Sequence, residues 1–154
     1  MDRSELMLFG QFVGAWDFDG SLQRDDGTRA EFSGEWHFDW ALDGLAIQDI
    51  LICPPPADHR DGEPWLEYGT TIRFYDPVAQ RWEITWITPV QRAVRRLSGG
   101  AVGDRIVLEG SDTDGTRLRW SFNDITPSAF VWRGEVATDG DWRPREEMRL
   151  RRAA

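Results

Sequence analysis

Apolar and polar residues alternate one by one along most of the sequence, and this alternation constrains the fold more than any other feature. In RWEITWIT, Trp82, Ile84 and Trp86 share one side of an extended chain, and polar residues share the other. The same pattern recurs in three further segments, with Trp36, Phe38 and Trp40 in GEWHFDW, Leu118, Trp120 and Phe122 in RLRWSF, and Phe130, Trp132 and Val136 in FVWRGEV. Such alternation is typical of antiparallel strands that have one buried and one solvated face.

Turn signals containing Gly, Pro, Asp or Asn separate the alternating segments at intervals of roughly 8–14 residues, which suits an all-β sandwich or barrel. They are DDG at 25–27, LDG at 42–44, YDP at 75–77, SGG at 98–100, TDG at 113–115, ITPS at 125–128 and TDGD at 138–141. The segments between them predict ten strands, at 14–22, 30–39, 44–53, 67–75, 80–88, 91–98, 101–110, 116–124, 128–137 and 143–152.

Helical periodicity is confined to the start of the chain, where residues 4–13 predict one short helix. The proline-rich segment CPPPADHRDGEPW, at 53–65, predicts a loop long enough to cover one end of a barrel. No shift in composition and no internal repeat divides the sequence, so we expect one domain over residues 1–154. Short connections after residue 65 favour an up-and-down barrel, which leaves no exposed sheet edges. The predicted fold is therefore an all-β, ten-stranded antiparallel barrel with a short N-terminal helix.

Charge and cysteine content exclude several functional classes. The net charge of −9 argues against binding to nucleic acid or to an anionic membrane surface, because phosphates would be repelled. Cys53 is the one cysteine, so no intramolecular disulfide can form, and no neighbour in the sequence would activate its thiol.

No apolar run is long enough to span a membrane and the first residues lack a signal-peptide core, so we expect a cytoplasmic protein. All 18 basic residues are arginine, which suggests a bacterial genome rich in GC codons.

The segment FVGAWDFDG, with Gly14-Ala15-Trp16, resembles the first strand of the lipocalin and fatty-acid-binding-protein group, the calycins. Longer tracts, WHFDWALDGLAIQD, GTTIRFYDP and WSFNDITPSAFVWRGEVATDGDW, resemble bacterial lipocalin-like domains of unknown function. The resemblance implies a barrel whose Trp16 closes one end beneath an arginine of the last strand. The last strand offers Arg149, Arg151 and Arg152, and a planar guanidinium suits stacking on an indole.

The resemblance also implies that the barrel holds a small, mostly apolar molecule. Its expected lining is the aromatic and apolar face of the strands, namely Trp36, Phe38, Trp40, Ile47, Trp82, Trp86, Trp120 and Trp132. Tryptophan combines a large apolar area with one N–H donor and so favours flat amphipathic ligands. Two alternatives remain open at the level of sequence. The side chains could fill the barrel completely, or the charged face, with Arg73, Arg119, Arg133, Glu83 and Glu135, could point inward at a high desolvation cost.

Three residues are candidates for acid–base chemistry. Asp49 shares a face with apolar residues, where a carboxylate would have a raised pKa, although pairing with Arg73 or Arg95 would explain it equally. Histidine as a residue type suits a general base near neutral pH, but alternation points His37 away from Trp36. Tyr68 begins a strand and is the third candidate.

The sequence contains no nucleophile elbow, phosphate-binding loop or metal-ligand cluster. His37 and His59 are far apart in sequence, so zinc is not indicated, while haem on a single histidine stays possible. We expect no metal or organic cofactor.

Three functions therefore follow from the sequence. The first is a binding protein for a small apolar or aromatic molecule. The second is a cofactor-independent isomerase, cyclase or hydratase acting on a similar molecule, with Asp49, His37 or Tyr68 moving a proton. The third is a structural or interaction protein with a solid core. A homodimer through an outer sheet face is expected with any of them.

Overall fold

Ten strands close into one antiparallel barrel in the computed structural model, which describes residues 3–154. A short helix, α1 (Arg3–Gly10), precedes them. The strands are β1 (Gly14–Gln23), β2 (Arg29–Ala41), β3 (Ala46–Cys53), β4 (Glu67–Asp76), β5 (Arg81–Thr88), β6 (Ala93–Val102), β7 (Arg105–Ser111), β8 (Arg117–Asn123), β9 (Ala129–Thr138) and β10 (Asp141–Arg152). Each strand pairs with the next, and β10 pairs with β1. The predicted ten-stranded barrel with an N-terminal helix is confirmed.

One predicted turn is wrong. SGG at 98–100 does not reverse the chain, because β6 continues through Gly99 and Gly100, which pair with Leu108 and Val107. The hairpin reverses instead at Gly103, which adopts a φ of +63°. A two-residue connection needs a positive φ, and glycine reaches it without steric cost. A pair of glycines within a strand and a glycine at a turn look alike in sequence.

Helix α1 fills one end of the barrel with aromatic rings. Phe9 packs edge-on against Trp82 and Phe122, with ring centroids 4.9 and 5.4 Å away. Phe12 lies 4.7 Å from Phe130 by the same measure. These rings are almost completely buried. We call this the closed end.

The up-and-down order sends alternate connections to opposite ends of the barrel. The connections at 42–45, 77–80, 103–104 and 124–128 lie at the closed end with α1. Those at 24–28, 54–66, 89–92, 112–116 and 139–140 lie at the other end, which we call the open end. The proline-rich segment is therefore a loop at the open end, as its composition predicted.

The aromatic face of the sheet points into the barrel. On the outer face, Arg119 donates two hydrogen bonds to Glu135, at 3.0 and 2.9 Å. Arg133 donates one to Glu147 at 3.0 Å. The alternative in which the charged face points inward is therefore wrong, although Arg73 does lie inside. Within residues 3–154, no helix is long and apolar enough to cross a membrane.

Candidate functional site

The barrel contains a cavity of about 680 Å³ between the open end and the aromatic packing around α1. A volume of this order accommodates a drug-sized molecule. Trp132 stands near the middle of its aromatic wall, with its ring 5.8 Å from Trp120 and 6.5 Å from Trp36. The aliphatic part of the lining includes Leu51, Ile84, Leu108, Leu118, Val136 and Met148. The inner walls of the cavity are thus apolar and include flat ring surfaces, while charged residues such as Arg24, Asp25 and Asp112 line its mouth at the open end.

Four of the eight residues predicted to line a cavity do so, namely Trp36, Trp86, Trp120 and Trp132. Phe38, Ile47 and Trp82 are buried but belong to the packed core outside the cavity lining. Trp40 is 39% exposed, and its ring lies against Gly10 of α1. The alternation identified the inward face correctly, but it does not show where along a strand the packed core ends and the cavity begins.

A buried ion pair joins two inward-pointing residues, Asp49 on β3 and Arg73 on β4. Nη2 of Arg73 donates to Oδ2 of Asp49 at 2.5 Å, and the backbone N–H of Thr71 donates to Oδ1 at 3.1 Å. The guanidinium carbon of Arg73 lies 4.9 Å from the ring centroid of Phe9 and 5.4 Å from that of Phe38. Asp49 therefore has the arginine partner that the sequence left as an alternative, and both of its oxygens are occupied.

Two side chains of the cavity lining carry buried N–H groups that have no partner. Nε1 of Trp36, and Nε and Nη1 of Arg73, make no hydrogen bond within residues 3–154. Trp36 is 4% exposed and Arg73 2% exposed, and both line the cavity. A buried donor without an acceptor costs about 1–3 kcal/mol, so such groups are normally satisfied by water or a ligand. Both side chains therefore have spare hydrogen-bond donors beside the cavity.

Two carboxylates, Glu67 on β4 and Glu146 on β10, also line the cavity. Glu67 is held firmly: Thr88 donates a short hydrogen bond to its Oε1, the backbone N–H of Tyr68 donates to the same oxygen at 3.1 Å, and Gln91 donates to Oε2 at 2.6 Å. Glu146 has no comparable hydrogen bond in the described part of the chain. The two carboxylates therefore lie in different environments.

The pKa of Glu146 is raised to about 7, chiefly by burial and then by the negative charge of Glu67. Arg95 and Arg145 oppose this increase. The pKa of Cys53, which also borders the cavity, is raised to about 11 by burial and by the charges of Glu146 and Glu67. Cys53 is therefore a thiol at neutral pH, and Glu146 is the cavity group that changes charge near neutrality.

A β-bulge lies next to Glu146 in β10. The pairing between β10 and β9 runs from Pro144 opposite Glu135 directly to Glu146 opposite Gly134, so that Arg145 is the extra residue. Beyond the bulge, the inward residues of β10 are Glu146, Met148, Leu150 and Arg152.

Sequence reasoning missed both Glu67 and Glu146. Two sequence signals could have found them. Glu67 lies an even number of positions from the inward residues Thr71 and Arg73, so alternation puts it on the same face of β4. Glu146 lies two positions before the inward residue Met148 on β10. Pro144 within a strand also indicates a bulge or a sheet edge.

The two other catalytic candidates lie outside the cavity. The side chain of His37 is 43% exposed, and its Nε2 lies 2.8 Å from Oε1 of Glu35. Tyr68 is 41% exposed, and its ring stands edge-on to Trp65. The structure thus does not bring Asp49, His37 and Tyr68 together. No group of three or more His, Cys, Asp or Glu side chains that could hold a metal ion occurs among residues 3–154.

At the closed end, Arg152 stacks on Trp16, and Arg149 and Arg151 do not. Arg151 pairs with Asp19 at 3.0 Å on the outer face, and Arg149 is exposed. The register explains the difference, because Trp16 lies directly opposite Arg152, and residues directly opposite in a sheet share a face. Gly14 leaves room for the guanidinium: a Cβ there would lie 2.6 Å from Nη1 of Arg152.

Comparisons with known proteins support the fold. No protein-family model matches the chain, and no curated protein matches it in sequence. Rv2717c from M. tuberculosis has a similar structure, with a TM-score of 0.68 and 16% sequence identity over 97% of this chain and 98% of that one. The S-type phycobiliprotein lyase CPES from Guillardia theta has a TM-score of 0.64 and 15% identity over 100% of this chain and 94% of that one. The fold is therefore that of a lipocalin-like, or calycin, barrel, as the resemblance at Gly14-Ala15-Trp16 predicted.

Proposed function

We propose that this protein binds a small, flat, mainly apolar molecule inside the barrel. The observation that carries the proposal is the cavity of about 680 Å³, open at one end and walled by Trp36, Trp86, Trp120 and Trp132. Indole rings offer large flat surfaces at low entropic cost, which favours aromatic ligands. A structural protein with a solid core would not need this volume, so the cavity favours binding over that alternative.

The buried donors refine the chemistry of the ligand. The N–H groups of Trp36 and Arg73 would donate to an acceptor oxygen or nitrogen at the inner end of the ligand. The charge of Arg73 is already balanced by Asp49. A neutral acceptor such as a carbonyl oxygen therefore fits this position better than a second carboxylate, which would add an unbalanced negative charge. The proposed ligand is a flat apolar molecule with a carbonyl-type acceptor at one end.

A neutral fluorescent ketone, 6-propionyl-2-dimethylaminonaphthalene, tests the proposal directly. It has a flat naphthalene body and one carbonyl group, and its emission shifts to the blue in apolar surroundings. We expect saturable binding of one molecule per chain with a blue shift. Native mass spectrometry of the purified protein would show in addition whether a molecule from the cell occupies the cavity.

Two variants on neighbouring positions of β8 provide the control. Leu118→Trp places a bulky ring in the cavity, since Leu118 is buried and lines it. Arg117→Trp adds the same ring on the exposed face. Binding should be lost in the first variant and kept in the second, with circular dichroism confirming that both fold. Equal binding by both variants, or no binding by the unmodified protein, would contradict the proposal. The cytoplasmic location and the homodimer expected from the sequence stay predictions.

A further inference from the structure

We propose that the cavity is a site of proton transfer, with Glu146 as the general base, and that its substrates are flat carbon acids. A carbon acid here is a molecule with a C–H bond made acidic by an adjacent carbonyl group or electron-poor ring. This inference rests on the proposed function, because the substrate must first bind in the cavity. It assigns the role of moving a proton to a residue other than Asp49, His37 and Tyr68.

The first support is the way in which the strand presents Glu146. Alternation from Met148 places the side chain of Glu146 on the inward face of β10, directly opposite Gly134 of β9 and just before the bulge at Arg145 is reached. A Cβ on Gly134 would lie 2.8 Å from the ring of Trp132 and 3.7 Å from Cβ of Glu146. The missing side chain at position 134 therefore lets the indole of Trp132 lie next to the carboxylate-bearing residue. A flat molecule stacked on that indole would lie close to Glu146.

The second support is the contrast between the two carboxylates. Three hydrogen bonds from Thr88, Gln91 and the backbone N–H of Tyr68 fix the position of Glu67. Glu146 lacks such bonds and is free to gain or lose a proton. Two neighbouring carboxylates in unlike environments are a pattern that acid–base sites use.

Burial and the charges around Glu146 together place its pKa close to neutral pH. Burial and, after it, the negative charge of Glu67 on β4 raise its pKa to about 7, and Arg95 on β6 and Arg145 on β10 limit the increase. Cys53 on β3 remains a neutral thiol in this range. A general base is most effective when its pKa lies near the working pH, since it is then both ionised and basic.

The third support is independent of the carboxylates. The unpartnered N–H groups of Trp36 and Arg73 line the same cavity, and both side chains are more than nine-tenths buried. Loss of a proton next to a carbonyl moves negative charge onto the carbonyl oxygen. Preorganised donors in a dry site stabilise such a charge more than water does.

The chemical step balances without an oxidant, reductant or cofactor. The carboxylate of Glu146 takes a proton from the carbon next to the carbonyl group, and the C–H bond breaks. Its electron pair forms the carbon–carbon double bond of an enolate, whose oxygen accepts hydrogen bonds from Trp36 and Arg73. When the substrate carries a carbon–carbon double bond next to the acidic carbon, the anion is a dienolate, and the protonated Glu146 returns the proton to its far carbon, which moves the double bond into conjugation with the carbonyl group. The net reaction is an isomerisation.

5-Nitrobenzisoxazole tests this role, because it is a flat carbon acid that decomposes when a base removes one proton. The base takes the ring C–H proton, the electron pair forms the nitrile, and the N–O bond breaks to release a coloured cyanonitrophenolate. We expect saturable turnover whose rate rises with pH and reaches half its maximum near pH 7. Glu146→Gln should lower kcat/KM by roughly 100-fold, the usual scale of general-base catalysis. Glu109→Gln, on an exposed position of β7, should leave it unchanged.

A second variant distinguishes a role of Glu146 in proton transfer from a purely structural role. In Glu67→Gln the negative charge that raises the pKa of Glu146 is gone, so the pH–rate profile should move to lower pH while turnover persists. A merely structural role of the two residues would not move the profile.

Quenching of tryptophan fluorescence by the same compound separates this inference from the proposed function. Binding without turnover, or turnover that Glu146→Gln leaves intact, overturns the inference and leaves the binding function standing. Absence of binding by both 5-nitrobenzisoxazole and the naphthalene ketone would overturn both.

Discussion

The guanidinium carbon of Arg152 lies 4.2 Å from the ring centroid of Trp16, so that the last strand and the first are joined by a stacked cation. The same guanidinium donates hydrogen bonds to the backbone oxygens of Pro127, Val13 and Gln11, at 2.9, 2.9 and 3.0 Å. One side chain thereby connects the segment after α1, the connection before β9 and the end of β10. It holds the closed end together where the first and last strands meet.

Arg152→Ala should destabilise the protein by about 1–3 kcal/mol, because it removes a cation–π contact and three hydrogen bonds to backbone oxygens, one of them part-buried. Arg151→Ala is the matched control. Arg151 is exposed and its ion pair with Asp19 lies at the surface, so its loss should cost less than about 1 kcal/mol. Urea unfolding followed by tryptophan fluorescence measures both. Equal losses would show that Arg152 does not hold the closed end.

The closed end also shows how far the sequence determines the site. Counting in steps of two from the apolar residues Met148 and Leu150 leads to Arg152, so the correct arginine could have been predicted from alternation alone. Glu146 lies on the same inward series, and the count fails only before it, where the bulge at Arg145 puts Pro144 opposite the outward residue Glu135. A bulge exchanges the inward and outward positions of a strand. Whether and where this happens depends on pairing with β9, and the sequence of β10 alone does not contain that information.

The position of the cavity was even less accessible to sequence reasoning. Trp82 and Trp86 lie on one face of one strand, yet Trp82 is packed in the core and Trp86 lines the cavity. The difference arises because Phe9 of α1 reaches Trp82. That contact joins residues far apart in the sequence. Local patterns therefore predicted the barrel and its inward face, while long-range packing decides which inward residues meet a ligand.

Asp49→Asn should destabilise the protein by about 3–5 kcal/mol, since it leaves the buried guanidinium of Arg73 without its counter-charge. Asp19→Asn removes an exposed carboxylate that also pairs with an arginine, and it should cost less than about 1 kcal/mol. Urea unfolding at pH 7 compares the two. A loss of turnover in Asp49→Asn with unchanged stability would instead favour a catalytic role for Asp49.

Gly134→Ala should weaken binding of the naphthalene ketone about tenfold or more, because the new Cβ would lie 2.8 Å from the Trp132 ring and displace it. Gly100→Ala is the control, since a Cβ there meets nothing within 4 Å. Fluorescence titration measures affinity, and the near-ultraviolet circular dichroism of tryptophan reports movement of the indole. Unchanged affinity in Gly134→Ala would mean that Trp132 does not contact the ligand.

Glu146→Gln should make the protein more stable above pH 7 and change little below pH 4.5. In the folded protein the pKa of Glu146 is about 7, against an ordinary value of 4.5. Between these two pH values the folded chain keeps a proton that the unfolded chain has released, so the free energy of unfolding falls as pH rises across this window. Above pH 7 the full cost applies, about 1–3 kcal/mol after allowance for partial solvent screening.

The measurement is the urea midpoint of both proteins from pH 4.5 to pH 8, with Glu109→Gln as an exposed control that should follow the unmodified protein. The difference in urea midpoint between Glu146→Gln and the unmodified protein should grow with rising pH and become constant above pH 7. The reason is that the glutamine side chain carries no charge to desolvate. Parallel curves across the whole range would show that Glu146 titrates as an ordinary surface carboxylate, and it would then be ionised but only weakly basic at neutral pH.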